Sequence, residues 1–443
     1  QRNNAWHQGT KQIKSFATPV FLVHLAGIMR LLIKNIKGLL ATYENNPGTI
    51  PGKAMSSLPF IENAWIAVED GIIVDYGEMA HWPGISDWSN LTIQDAEDGF
   101  LLPSWCDSHT HTVFAQSRAL EFEDKIRGMS YEEVAARGGG ILNSAAAMAK
   151  MSEEVLLRDA LGRIDRMIKN GTGALEIKTG YGLDVENELK MLRVIQKIKD
   201  QSPIPIRATL LMGHALPASY KDNIDGYMKY LIAELLPAAL EVGFDFMDIF
   251  CERDYFQVNH LNLILEIAQK HNKPAKIHSN QFYSIGGVQA AIDGQALSID
   301  HAEVLSEQDL ADLEKHPIII TGLPACSLFT KIPYTPTRTL MDRNIPVALA
   351  TDFNPGSSPN GNMNLVNSLA CIQMQMTPEE VLIASTQNGA AAMQLDDTVG
   401  SITIGKKANF ILTEKLDYFS ELFYYFGESR IKEVYINGKK YEN

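Results

Sequence analysis

Asp107-Ser108-His109-Thr110-His111 follows the apolar run Phe100-Leu101-Leu102. In extended backbone, residues i and i+2 share a face, so His109 and His111 can aim two imidazoles at one point. That spacing is how a strand offers two ligands to a divalent metal. Further on, His214, His278, His301 and Asp352 each stand at or just after the end of a short apolar run. A single histidine in such a place is more often a satisfied core or surface residue than a ligand. Recurrence at equivalent strand ends turns the set into a candidate metal site. Imidazoles combined with a carboxylate suit Zn²⁺ or Fe²⁺ and not the all-oxygen shell of Ca²⁺. Such an ion lowers the pKa of bound water to about 7 and polarises a carbonyl, so metal-assisted hydrolysis is the expected reaction class. Asp352 can also accept a proton from the water, and His301 can orient that water or stabilise a developing oxyanion.

Side chains of this kind need a repeating scaffold. Taking Phe100 to His111 as the first strand, further candidates are 174–178, 206–212, 246–250, 275–278, 297–301, 318–321 and 347–351, eight in all. Amphipathic stretches separate them, as a parallel barrel or doubly wound sheet requires. Ser152 can cap a helix with Leu157, Leu161, Ile164 and Ile168 on one face and Asn170-Gly171 as its stop. Thr377-Pro378-Glu379-Glu380 places an N-cap threonine, an N1 proline and an N3 glutamate ahead of Val381-Leu382-Ile383. A barrel puts its functional groups at the C-terminal ends of its strands, where these residues fall.

Both chain ends have a different texture. Trp65-Ile66-Ala67-Val68 and Gly71 to Tyr76 are short β-type runs between Gly, Pro and Asn clusters. Asn409 to Leu412 and Ile431 to Ile436 repeat that pattern, the latter ending on the turn Asn437-Gly438. The expected fold is therefore α/β: a TIM-like (β/α)8 barrel over 99–394 and a small composite β-sandwich from 29–98 and 395–443. Phe16 to Ile28 is mostly apolar behind Lys11 and Lys14 and has the look of a signal peptide. It is too short to span a bilayer, lacks a clear A-x-A site and precedes Met29-Arg30-Leu31-Leu32-Ile33, which reads as a protein start. Residues 1–28 are accordingly expected to be a non-native or extended N-terminus.

The 443 residues are 45% hydrophobic and 21% charged, the balance of a globular protein with ample core. A formal net charge of −14, with no long Lys/Arg run, argues against nucleic acid as a partner. Cys106, Cys251, Cys326 and Cys371 form no CxxC pair, which suits reduced thiols and a cytoplasmic setting. No membrane partner is expected.

Pro103 to His111, His278, His301 and Ala350-Thr351-Asp352 resemble the amidohydrolase superfamily. Longer stretches are similar to its imidazolone-opening branch: Val113 to Arg118, Gly138 to Ile141, Glu176 to Leu183 and Asp352 to Pro359. The likeness runs through nearly all of the chain from Met29. It implies one divalent ion per chain, held by His109, His111, His278 and Asp352. It implies hydrolysis of the cyclic amide of 4-imidazolone-5-propanoate to N-formimidoyl-L-glutamate, and substrate contacts from Arg118, Tyr131, Tyr181, His214, Asn354, Gly356 and Ser357. A homodimer is expected by analogy alone. The alternatives are a related hydrolase that deaminates a heterocycle or opens another lactam, and a catalytically silent barrel serving as a scaffold.

The residues themselves support several of these assignments and leave alternatives open. Arg118 offers a planar fork for a propanoate carboxylate, which the Tyr181 hydroxyl can share, or it is a surface ion-pair partner. Gly356 lets backbone approach the ring closely. Tyr131 in Ser130-Tyr131-Glu132-Glu133 has the alternative of packing at a helix start. Gly138-Gly139-Gly140 follows no strand and lacks a GK[ST] ending, which favours a mobile loop over a phosphate cradle. Lys178 is read as structural, although a strand-end lysine elsewhere in the superfamily can be carbamylated to bridge two metals. Two departures stand out: Gln281 where members often have glutamate, and Leu323-Pro324-Ala325-Cys326 in place of a Leu-Pro-Gly-Thr-like segment. An amide keeps hydrogen bonds to the ring but takes no proton, so proton transfer is assigned to His301 and Asp352.

Overall fold

The computed structural model describes residues 28–129, 133, 139–426 and 428–442. Tyr131, Gly138 and all of the N-terminal stretch except Ile28 lie outside them. Both chain ends contribute to one mixed sheet. From the first end come β1 (Arg30–Leu40), β2 (Phe60–Glu69), β3 (Ile72–Glu78), β4 (Leu91–Asp95) and β5 (Gly99–Pro103).

The barrel strands follow: β6 (Trp105–Asp107), β7 (Thr172–Lys178), β8 (Ile206–Gly213), β9 (Phe246–Cys251), β10 (Lys276–Ser279), β11 (Ser298–His301), β12 (Ile319–Gly322) and β13 (Val347–Leu349). The tail returns β14 (Phe410–Lys415), β15 (Ile431–Ile436) and β16 (Lys439–Lys440) to the end sheet, in the order β16-β15-β14-β5-β1-β2-β3, with β4 beside β1. β1 is long enough to pair with β4 along its first half and β5 along its second, while its antiparallel pairing with β2 shifts register between Ile33 and Ile36. The inner face of this sheet buries Leu31, Ile33, Ile36, Leu39, Ile66, Val68, Phe410 and Leu412. Asn437 and Gly438, with φ 48° and 70°, make the tight turn between β15 and β16.

β6 to β13 pair in chain order, each parallel to the next. Just beyond the last strand the ring closes. Thr110 bridges Phe353, Asp352 N donates to His109 O at 3.0 Å, and His111 N donates to Phe353 O at 2.8 Å. Asp107 fastens the same seam by accepting from Thr351 N (3.0 Å) and Oγ1 (2.6 Å). The single strand expected over 100–111 is in fact two. Pro103 has no N–H to extend a ladder, Ser104 N goes to Asn409 O in the end sheet, and Trp105 N goes to Gly171 O in the barrel. The chain thus changes sheets within two residues.

The helix Glu153–Lys169 starts on Ser152, whose hydroxyl accepts from Val155 N, and stops at Asn170-Gly171. Its buried face is Leu156, Ala160, Ile164, Met167 and Ile168, while Leu157 and Leu161 sit at the edge, half-buried. The packed stripe is therefore turned slightly from the one expected. Pro378–Ser385 begins with the reciprocal Thr377–Glu380 cap. All four cysteines are free. Among the described residues no helix is long and apolar enough to cross a membrane.

Candidate active site

The histidines converge above the barrel's C-terminal end. One ring nitrogen of each of His109, His111 and His278 lies within 4.8 Å of the others, and all three residues are buried. Asp352 completes the group, with Oδ1 3.5 Å from His109 Nε2 and 3.8 Å from His111 Nε2. Burial holds all three imidazoles well below the ordinary histidine pKa, so they are neutral donors of lone pairs. His109 Nε2, His111 Nδ1 and both ring nitrogens of His278 have no hydrogen-bond partner among the described residues. Buried nitrogens left in this way are costly unless something accepts their lone pairs, and a divalent cation fits.

Four residues at this rim have left-handed backbone without being glycine: Asn280 (φ 60°), His301 (83°), Ala302 (56°) and Asp352 (52°). Such conformations persist only where the surroundings over-determine them. Here Ala302 N donates to Ser279 O, Val304 N to Asn280 O, and Thr335 Oγ1 to His301 O.

Below the imidazoles lies a buried set of charges. On β7, Glu176 and Lys178 share the inner face by the two-residue alternation of a strand, as do Lys276 and His278 on β10. Lys178 Nζ is 2.7 Å from Glu176 Oε1, 2.8 Å from Asp248 Oδ2 and 3.3 Å from Asp300 Oδ2. Lys276 Nζ is 3.2 Å from Glu176 Oε2 and 2.9 Å from Ser298 Oγ. Burial opposes the Lys178 ammonium, but the surrounding carboxylates outweigh it and hold its pKa above the ordinary value. The amine is thus held in ion pairs by three carboxylates, the setting of a structural lysine. Asp300 Oδ2 meets His109 Nδ1 at 2.7 Å, and Asp248 Oδ2 meets His278 Nδ1 at 2.8 Å. The Asp300 carboxylate calls for a proton on His109 Nδ1 and leaves its Nε2 for the centre, whereas Asp248 lies close to His278 Nδ1 without a hydrogen bond.

His301 stands beside this group, its ring centroid 5.4 Å from that of His278. Burial would lower its pKa, yet Glu303, with Oε1 3.2 Å from Nδ1, prevails and raises it. Asp352 is pushed up to about 6 by burial, against the pull of His301. His214 stacks on His111 with centroids 5.2 Å apart and planes at 10°, and burial lowers its pKa to about 3. Tyr181 is packed 5.7 Å from His111 and 5.3 Å from His214, centroid to centroid.

The remaining expected contacts fall on one loop and its neighbours. Arg118 is nearly buried, its N donates to Pro355 O, and its Nε lies 3.9 Å from Glu121 Oε2. A Cβ on residue 356 would stand 1.0 Å from Arg118 Nη2. The space beside Gly356 is thus filled by the guanidinium. Asn354 uses both ends of its amide within the loop, accepting from Gly356 N and Ser357 N and donating to Asp352 O and Ser357 Oγ. Gln281 is buried and donates to Cys326 Sγ at 3.6 Å, so the two departures from the family pattern touch each other.

Sequence reading passed over Asp248, Asp300 and Glu303. The signal was available: Phe246-Met247-Asp248-Ile249-Phe250 and Leu297-Ser298-Ile299-Asp300-His301 each hold a carboxylate inside an apolar strand. A charge there must find a partner.

The family model described as "Amidohydrolase family" matches residues 100–440. An imidazolonepropionase of Christiangramia forsetii is 49% identical over 93% of this chain and 100% of its own length. Those of Flavobacterium johnsoniae (46%, 93% and 100%) and Alkaliphilus metalliredigens (34%, 92% and 97%) are similar across the same span. Among solved structures, E. coli guanine deaminase superimposes with a TM-score of 0.67 at 15% identity, covering 94% of this chain and 98% of that one. A zinc-bound adenosine deaminase from Xanthomonas campestris gives 0.66 at 16%, covering 93% and 92%. At such identities these two likenesses speak for the fold alone. The chain belongs to the amidohydrolase family.

Proposed function

We propose that this member of the amidohydrolase family hydrolyses the cyclic amide C–N bond of 4-imidazolone-5-propanoate, giving N-formimidoyl-L-glutamate in histidine degradation. The observation that carries the reading is a cluster of neutral, buried imidazoles next to Asp352, with a nearly buried guanidinium, Arg118, nearby. A divalent ion held by His109, His111, His278 and Asp352, Zn²⁺ or Fe²⁺, supplies Lewis acidity towards the ring carbonyl and acidifies water.

The chain's own groups do the rest. Arg118 binds the propanoate carboxylate through its planar fork, with Gly356 leaving room for that fork and Tyr181 beside it. His214, neutral and stacked on His111, walls the ring side and excludes water. Gln281 hydrogen-bonds the ring without exchanging a proton. Asp352 accepts a proton from the attacking water as the water oxygen bonds to the carbonyl carbon. His301, held by Glu303, stabilises the charge that builds on the carbonyl oxygen. The ring C–N bond then breaks and the proton passes to the departing nitrogen. We place this chemistry in the cytoplasm, in keeping with four free cysteines.

Purified metal-replete protein incubated with 4-imidazolone-5-propanoate is expected to consume its ultraviolet absorbance and release no ammonia. Absence of turnover contradicts the proposal, and ammonia release points instead to a deaminase.

A further inference from the structure

We infer that Lys178 is a positioning residue of the metal centre: one ammonium grips Asp248 and Asp300, and each of those carboxylates aims one imidazole, His278 and His109, at the ion. The inference rests on the metal-centre reading above and concerns what makes that centre rigid. Lys178 Nζ touches Asp248 Oδ2 at 2.8 Å and Asp300 Oδ2 at 3.3 Å. The very same two oxygens lie 2.8 Å from His278 Nδ1 and 2.7 Å from His109 Nδ1. Each oxygen therefore lies against both the ammonium and a ring nitrogen, hydrogen-bonded to the ring at His109 and in close contact at His278. The two ligands come from different strand ends, and the amine is the group through which both are set.

Other contacts on these carboxylates fix their remaining oxygens. Asp248 Oδ1 accepts from Ile249 N and His278 N, and Asp300 Oδ1 from Ser298 Oγ. Only Oδ2 of each is left for a ring, and without the amine those two oxygens would face one another in the fully buried interior. Like charges so placed repel strongly, and the relief is for a carboxylate to turn away. That turn releases an imidazole. Orienting groups of this type are typically worth about 10–100-fold in metal affinity.

Zn²⁺ affinity, measured by competition with a chromophoric chelator, tests the inference. Lys178→Met is expected to bind Zn²⁺ about 10–100-fold more weakly. Because that change also leaves three carboxylates against one lysine, Glu176→Gln/Lys178→Met is the sharper variant. It keeps the cluster's net charge at −1, since two lysines and three carboxylates become one and two. Glu176 contacts Lys178, Lys276 and Thr209 but no imidazole. The expected result is a double variant that melts near the parent chain yet still binds Zn²⁺ at least about 10-fold more weakly. Parental affinity in the double variant overturns the inference and leaves Lys178 a charge balance only.

Nitrogen-15 NMR of labelled histidine in the unmodified, metal-free chain serves as a second reading that needs no variant to fold. A proton on Nδ1 of His109 is expected, and a proton on its Nε2 overturns the inference. A parent chain that takes up no Zn²⁺ overturns the metal-centre reading itself, which separates the two failures.

Discussion

The two ends of the barrel offer opposite lessons about what marks a site. At the N-terminal end lies a hollow of about 720 Å³, lined by Leu265, Ala268, Asn272, Pro274, Leu297 and Pro346 among others. Lys273, its lysine, has its Nζ on Phe244 O. On the same side, where Gln387–Ala391 packs against Cys106, Lys406 is buried among neutral oxygens of Asn46, Gln387, Val399 and Ser401. Burial lowers that amine to about 8. At the C-terminal end, Lys178 is equally buried but sits among carboxylates and stays charged. Neither volume nor a buried charge identifies the site. What distinguishes it is that two of its buried carboxylates, Asp300 and Asp248, lie within 2.8 Å of imidazoles of the clustered histidines.

The largest effect is expected from the ligands. His278→Ala should lose bound metal, and its turnover should fall to that of metal-free parent protein, as metal analysis beside the ring-opening assay would show. A metal-loaded, active His278→Ala breaks the comparison at once. Next comes Gly356→Ala. The added methyl overlaps Arg118 Nη2 and displaces the guanidinium, so KM for the propanoate substrate should rise by about 10–100-fold, the scale of a charged hydrogen bond, with kcat less affected. Arg118→Ala should behave alike, and a double variant no worse than either single change would show that both act on one contact.

At the opposite end the effects should be on stability alone. Leu265→Ala, beside the large hollow, should cost about 2–5 kcal/mol in denaturant unfolding with kcat/KM unchanged. A change in kcat/KM would give that hollow a part in the reaction. The smallest effect concerns Lys406. Burial holds its amine at about 8 in the folded chain, below the roughly 10.4 of an ordinary lysine, so between those values the folded state binds fewer protons than the unfolded one. Stability therefore rises with pH across that window. The parent chain should gain on Lys406→Met as pH goes from about 8 to about 10, and a flat difference would show that the amine is not depressed.

Much of this was legible beforehand, because each strand-end histidine had to be supported by its own apolar run. His109, His111, His278, His301 and Asp352 are brought together at one rim, as the barrel pattern requires. The Thr377 cap was readable because its partners are three residues apart. Less visible was anything that depends on two distant segments meeting. The break at Ser104 arises from hydrogen bonds to Asn409 and Gly171, and the filling of Gly356 by Arg118 joins positions remote in sequence. Lys178 looked inert because its partners, Asp248 and Asp300, lie on β9 and β11.

The most direct test adds Zn²⁺ or Fe²⁺ stepwise to metal-free protein while following loss of 4-imidazolone-5-propanoate. The account predicts activity that rises linearly and stops at about one equivalent per chain. Full activity without metal, or a plateau only at two equivalents, would contradict it.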